Sequence, residues 1–537
     1  MTTPHQHTRP HLLDAASRMP PEVRPEDPAL LTDLMDRETY DSLEIARLFE
    51  SLNHTKTRLG AATLLMSLGN PLDQLETLKA RQAALKGLRE NPALKNQLSG
   101  LIKELARLEP SLYDFLFGTF LGLIGSKAKA LEVEGYGYDA TIRGTLFLRT
   151  AVEGARAIEP TGYQTLDELL ERLRQFETTR AYRLARGPVY RAEHGIITRE
   201  EKRPWTPCIR FSPSLFKPVG LLSFGLMILL IGQFVPLLLD LVVGLAGAFW
   251  IFLFPLAFLY VPIVGGFDRD GCIYPLRDAI RKSPEVHALL DDIGALDELL
   301  TLADLPDLMP HPTTLPELID APAHQLQAKG LCNPLLAQEN PDYVGNDINL
   351  ESHRLSLITG PNSGGKTAFC KTLAQSQLLA QIGSYIVAES ARMSLADRIF
   401  HQAPEISQLA DGEGRFGTEL RRTKAIFLKA TPRSLVIMDE LSEGTTHEEK
   451  IEISRNILDG FAQKGNSTLL ITHNHALVDQ YQPRKDALCL MVEFDQGEPT
   501  YRLIEGISRI SHADRVAARI GFSKADIDQH LAATRPS

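Results

Sequence analysis

The chain has 537 residues, enough for two or three domains, and a formal net charge of −10. That balance excludes a generally basic nucleic-acid-coating protein, although a local basic patch can sit inside an acidic chain. The five cysteines (Cys208, Cys272, Cys332, Cys370 and Cys489) are scattered without a Cys-x-x-Cys, which excludes a disulfide framework or zinc site and points to incidental thiols in a reducing compartment.

Residues 1–29 are polar and rich in Pro and His, with no apolar signal core, so a disordered leader is expected there and not a targeting peptide. Residues 30–200 read as a helical domain. "TYDSLEIARLFESLNHTKTRLGAATLLMSL" and "PLDQLETLKARQAALKGLRENPALKNQLSGLIKEL" place apolar residues every three to four positions, with Pro71 at a helix start. The stretch from Glu109 to about Arg186 is helical but less regular. Residues 201–270 change character sharply. Val219–Phe267 carries a single charged residue, Asp240, and is long enough for two passes of about 20 apolar residues. A transmembrane hairpin is expected, with Pro236 and Asp240 at its turn. Lys202, Arg203, Arg210 and Lys217 precede it, and Arg269, Arg277, Arg281 and Lys282 follow it. Basic flanks on both sides place both in the cytoplasm, against the inner membrane. Trp250 and Tyr260 are candidate interfacial anchors. Residues 271–324 return to helix, with Ser283-Pro284 as cap and first-turn residues, and end in a Pro-rich linker. Residues 325–537 form the nucleotide domain.

Within that domain "LITGPNSGGKTAF" fits G-x-x-x-x-G-K-[ST]: Gly360, Pro361, Asn362, Ser363, Gly364, Gly365, Lys366 and Thr367. An apolar run precedes it and a helical pattern follows, the strand–loop–helix context that a phosphate cradle needs. Lys366 is expected to reach the β- and γ-phosphates of ATP and the Thr367 hydroxyl to ligate Mg²⁺. "RSLVIMDELSEGTTH" is a second apolar strand, ending in Asp439 and Glu440. Asp439 is positioned to hold Mg²⁺ and Glu440 to act as general base. "STLLITHNHAL" is a third, ending in His473, a candidate γ-phosphate sensor. The fold class expected is an α/β P-loop NTPase domain joined to an all-α domain.

These residues resemble the MutS family. "GPNSGGKT" matches its phosphate loop, in which Asn362 is the distinctive residue. "IGSYIVA" (Ile382–Ala388), "DRIF" (Asp397–Phe400), "MDELSEGTT" (Met438–Thr446) and "ITHNHAL" are similar to its neighbouring motifs. The N-terminal helical runs and "IGALDELLTLADL" resemble the family's core/lever domain, and "HADRVAARIGFSKADIDQHL" its closing dimerisation element. The resemblance implies a homodimer through the ATPase domains, a role in DNA mismatch repair or DNA binding, and Tyr343 against adenine. Three departures stand beside it. The mismatch-reading domain is not found. The apolar hairpin lies where levers and DNA clamp are expected. The signature segment reads "GRFGTE", with Gly414 at the usual Ser position and Arg415 next, and Glu443 replaces an Arg. The expected protein is a membrane-tethered, MutS-like ATPase. The alternatives are a membrane-associated ATPase switch that binds no mismatched DNA, and a transport-associated ATPase.

Overall fold

A computed structural model describes residues 34–534 except 123–132, 206, 215–216, 218–222, 224–225, 227–259, 362–363, 404–413, 442–446, 497 and 509–519. The expected leader lies outside them, and so do most of the hairpin, Asn362, Ser363, Glu443 and much of the C-terminal element. Among the described residues no helix is long and apolar enough to cross a membrane. Tyr260, a candidate anchor, is buried.

The chain forms two compact units that alternate along the sequence. The first takes in His54–Thr63 and Glu90–Leu300. Its longest helix, Pro92–Phe117, starts where Asn91 accepts a hydrogen bond from Leu94 N and Pro92 supplies a preset φ. Leu94, Leu98, Leu101, Ile102, Leu105 and Leu108 recur at helical spacing and are buried, packing against the helix Tyr138–Ala157. A small antiparallel sheet follows where helix was expected: β1 (Val189–Ala192) pairs with both β2 (Gly195–Ile197) and β3 (Cys208–Phe211). Two buried acids cap one helix start in this unit. Asp297 accepts from Lys56 N (2.9 Å), Thr57 N (2.7 Å) and Thr57 Oγ1 (2.7 Å). Glu109 accepts from Arg58 N (2.8 Å), Leu59 N (3.0 Å) and the Tyr113 hydroxyl (3.1 Å). Together they satisfy the orphan amides at the start of the helix that opens at Arg58, where its dipole favours negative charge. Burial pushes both carboxyls up from the ordinary range against these hydrogen bonds.

The second unit holds 34–53, Leu64–Arg89 and Thr301–Ser537. The Pro-rich linker is not structureless. It supplies β4 (Thr313–Thr314) and β5 (Glu317–Ile319), because other strands offer their edges. β6 (Leu326–Leu331) and β7 (Asn346–Asn349) come next, then β8 (Leu355–Thr359), β9 (Ile386–Val387), β10 (Ser390–Ser394) and β11 (Ile399–Gln402). β12 (Leu435–Asp439), β13 (Ser467–Ile471), β14 (Ala487–Asp495) and β15 (Glu498–Glu505) complete the set. The main sheet has the order β11-β12-β13-β8-β14-β15, parallel except for the last strand. A second sheet has the order β5-β10-β6-β7, and β4 pairs with β9. β8, β12 and β13 are apolar runs buried along nearly their whole length, as a sheet covered on both faces requires. Leu357, Val436, Met438, Leu470 and Phe461 anchor the core. The N-terminal helices of this unit, Arg37–Ser42 and Ile45–Leu52, pack on it: Ile399 N donates to Leu34 O, and Gln375 Nε2 to Leu43 O.

Replacing Asp297 with Ala strands the buried Thr57 amide and hydroxyl and removes the partner of the Lys56 amide. Chemical denaturation is expected to show a loss of about 2–4 kcal/mol, well beyond the ordinary cost of a surface substitution.

Candidate nucleotide site

β8 ends at Thr359, and regular structure resumes at Lys366, the first residue of the helix Lys366–Gln381. Gly365 sits before that helix at φ +80°, a conformation that a side chain would strain, and a Cβ on Gly364 would come within 2.7 Å of Val492 Cγ2. Gly364 is therefore pressed against β14. Lys366 lies under the loop, 2% exposed, and its Nζ donates to Gly360 O (2.6 Å) and Pro361 O (2.7 Å). Burial lowers its ammonium to about 8, against the pull of Asp439 and Glu440.

The parallel register makes three strand tips level. Asp439 pairs with Ile471, and Ile471 with Ile358. Thr367 Oγ1 donates to Asp439 Oδ2 at 2.8 Å, so the helix hydroxyl and the strand-tip carboxylate share one point. A hydroxyl and a carboxylate oxygen are hard donors of the kind Mg²⁺ takes alongside phosphate oxygens and water, and they fit that ion. Glu440 turns at φ +66° while its amide donates to Ile471 O (2.9 Å). This left-handed turn aims its carboxylate across the β13 tip, where Oε1 lies 3.3 Å from His473 Nε2 and Oε2 lies 3.6 Å from Lys450 Nζ. His473 lies two residues beyond the end of β13, after Thr472. The next residue, Asn474, caps the helix His475–Tyr481 by accepting from Leu477 N.

Beside the loop opens a cleft of about 490 Å³, lined by Tyr343, Asn346, Gly364, Ala368, Phe369 and Tyr501 among others. This size suits a small-molecule ligand. Tyr343 is half-buried there, and burial raises its phenol above the usual range. Tyr501 comes from the far β-hairpin. It is 53% exposed and held at φ +62°, an uncommon backbone for a bulky residue. The buried Asn346 pins it: Nδ2 donates to Tyr501 O (3.1 Å) and Oδ1 accepts from Leu503 N (2.7 Å). Two aromatic rings thus flank a cleft that ends at the phosphate loop.

Of the residues singled out in the sequence, Gly364, Gly365 and Tyr343 border this cleft, while Gly360, Pro361, Lys366, Thr367, Asp439, Glu440 and His473 gather around the level strand tips. Asn362 and Ser363 are outside the described residues. The helix Gly414–Lys429 starts at the altered signature segment, and the Arg415 side chain lies outside the description. Sequence reasoning missed Tyr501 and Lys450. The only signal for Tyr501 was an aromatic in a polar strand after a turn. Lys450 carried none beyond its place on the helix that follows Glu440.

Two outcomes follow for nucleotide binding. With Lys366 lowered to about 8, anion binding restores its charge, so ATP uptake above pH 8 must take up a proton. Calorimetry in buffers of different ionisation enthalpy is expected to show that proton, and affinity is expected to fall by up to about tenfold per pH unit above pH 8. Tyr343→Ala and Tyr501→Ala are each expected to weaken ATP by about 1–3 kcal/mol through lost stacking while leaving inorganic tripolyphosphate unchanged, as measured by competition binding.

Residues 356–531 match MutS domain V. The chain is 31% identical over 256 residues to Endonuclease MutS2 of Thermus thermophilus, covering 45% of this chain and 34% of that protein. It is 29% identical over 265 residues to DNA mismatch repair protein MutS of Prochlorococcus marinus, covering 47% and 29% of the two chains. It is 32% identical over 253 residues to DNA mismatch repair protein MSH3 of Phaeosphaeria nodorum, covering 45% and 22%. The match spans about a third or less of each relative's length. The phosphate loop and the level strand tips lie inside residues 356–531 while Tyr343 and Asn346 of the cleft precede them, and this chain carries a domain of the MutS family, MutS domain V.

Proposed function

We propose that this protein binds and hydrolyses ATP, dimerises through its nucleotide domains and couples that cycle to DNA, as the names of its mismatch-repair relatives suggest. The observation that carries the reading is the Thr367–Asp439 hydrogen bond at 2.8 Å beside the Glu440–His473 contact at 3.3 Å. Tyr343 and Tyr501 hold the adenine, and Lys366 and the loop amides hold the phosphates. Thr367 and Asp439 would carry Mg²⁺, which supplies charge neutralisation on the phosphate oxygens when bound. Glu440 accepts the proton of the attacking water as its oxygen joins the γ-phosphorus and the bond to ADP breaks. His473 and Lys450 keep the Glu440 carboxylate aimed.

A membrane tether is part of the proposal. Its support is the apolar run Val219–Phe267 together with an ion pair at its base: Lys217 Nζ meets the buried Asp268 carboxylate, 51 positions along the chain, and the Tyr138 hydroxyl donates to the same carboxylate at 2.6 Å. A chain that leaves and returns at one point suits two antiparallel passes and not one. The proposed location is the inner membrane with the ATPase domain in the cytoplasm.

The test is ATPase rate in nanodiscs, with and without duplex, mismatched and branched DNA. Glu440→Gln is expected to lower turnover by about 10²–10⁴-fold while ATP still binds. Stimulation by DNA is expected. A rate indifferent to every DNA and sensitive only to the bilayer would overturn the DNA-coupled reading in favour of a membrane ATPase switch.

A further inference from the structure

We propose that the sheet β1–β3 and residues 198–205 dock on an anionic bilayer surface, with the Trp205 indole seated among the headgroups. The inference rests on the membrane tether proposed above but concerns a separate surface. Trp205 is 95% exposed, and Ile209 on β3 is 58% exposed. Folded proteins seldom leave an indole fully in water, and Trp is enriched where one face meets lipid and the other water. Within the loop the charges sort by sign, while Glu193 on the β1–β2 turn is an exposed acid. The loop's two acids are both engaged by the helix Arg180–Arg186: Glu201 pairs with Arg180 at 2.5 Å and Glu200 with Arg183 at 3.2 Å. Glu201 also accepts from Thr198 N at 2.8 Å, which fixes the loop's start. The bases stay outward. Arg199, Arg203 and Arg210 are exposed and have no ion-pair partner among the described residues, while Lys202 Nζ lies 5.1 Å over the Tyr190 ring. An apolar tip ringed by unneutralised cations complements a leaflet of acidic phospholipid.

Position supplies the second argument. β3 ends at the buried Phe211, whose ring lies 5.8 Å from Lys217 Nζ. Lys217 is the residue that pairs with Asp268 at the foot of the apolar run. The sheet therefore stands at the point where the chain departs into that run and returns from it. A surface there lies within reach of the headgroups, where insertion of an apolar side chain by about 5–10 Å is the usual depth. Duplex DNA offers anionic charge too, but no apolar layer for Trp205 and Ile209.

The chain has two tryptophans, Trp205 and Trp250, which makes the test direct. Full-length Trp250→Phe protein in nanodiscs leaves Trp205 as the only indole, and Trp205→Phe leaves Trp250. Lipids brominated near the headgroup or deep in the chain serve as quenchers. Trp205 emission is expected to be quenched about twofold more by shallow than by deep bromines. The effect should appear in discs containing phosphatidylglycerol and fade in pure phosphatidylcholine. Arg203→Gln with Arg210→Gln should reduce it without altering far-ultraviolet circular dichroism. Trp205 unquenched while Trp250 is quenched would overturn the docking surface and leave the tether standing. Trp250 unquenched while Trp205 is quenched would sink the tether alone. Trp205 emission that responds to duplex DNA and ignores lipid would also overturn the proposal.

Discussion

The parallel hydrogen-bond ladder through β12, β13 and β8 sets where every group around the phosphate loop can be. Because Asp439, Ile471 and Ile358 stand opposite one another, the chain leaves all three strands at one level. A register slip in a parallel sheet moves a whole side-chain set to the other face. It would carry Asp439 away from Thr367 and reverse the face that Glu440 presents. The buried apolar runs make such slips costly, since each strand is packed on both sides. The geometry of four polar residues is thus held by the burial of the ten apolar ones in these three strands, and the polar residues themselves contribute little to keeping it.

The second unit joins this arrangement to the N-terminal helices. Glu44 Oε1 meets Lys371 Nζ at 2.5 Å, on the helix that Lys366 begins. Lys371 holds the Glu44 carboxyl below the ordinary carboxylate range. Gln375, one turn further along, holds Leu43 O. His401, on the edge strand β11, has its ring Nδ1 2.8 Å from Ser42 Oγ, and its amide donates to Thr39 Oγ1 at 3.2 Å. The helix that starts at the phosphate loop is therefore gripped along one side by a segment more than 300 positions earlier in the chain. Any shift of that helix on phosphate binding bears on the N-terminal segment directly, through packed and hydrogen-bonded contacts.

How much of this was legible in the sequence depended on whether the signal was local. The phosphate loop, its flanking strand and helix, and the Asp439-Glu440 strand tip all announce themselves within a dozen residues, because the backbone geometry they need restricts which residues can serve. The two-aromatic cleft does not. Tyr343 was singled out only through family resemblance, and Tyr501 owes its place to a hairpin held by Asn346 from another sheet, a pairing with no local pattern. The buried pair Asp297 and Glu109 was equally hidden: each looks like one more acid on a helix until the amides of residues 56–59 meet them. The strands β4 and β5 lay in what reads as a Pro-rich linker, because their stability comes from the edges of β9 and β10 and not from their own composition.

The Lys217–Asp268 pair has a consequence for how this chain was assembled. Closing a long loop costs entropy that grows only slowly with its length, and here the closure is made within the scaffold, by an ion pair and the Tyr138 hydroxyl. The intervening segment can then lengthen, shorten or change character while the two stumps remain joined. It behaves as a graft on a stock: the scaffold provides a cut surface that it closes with its own residues.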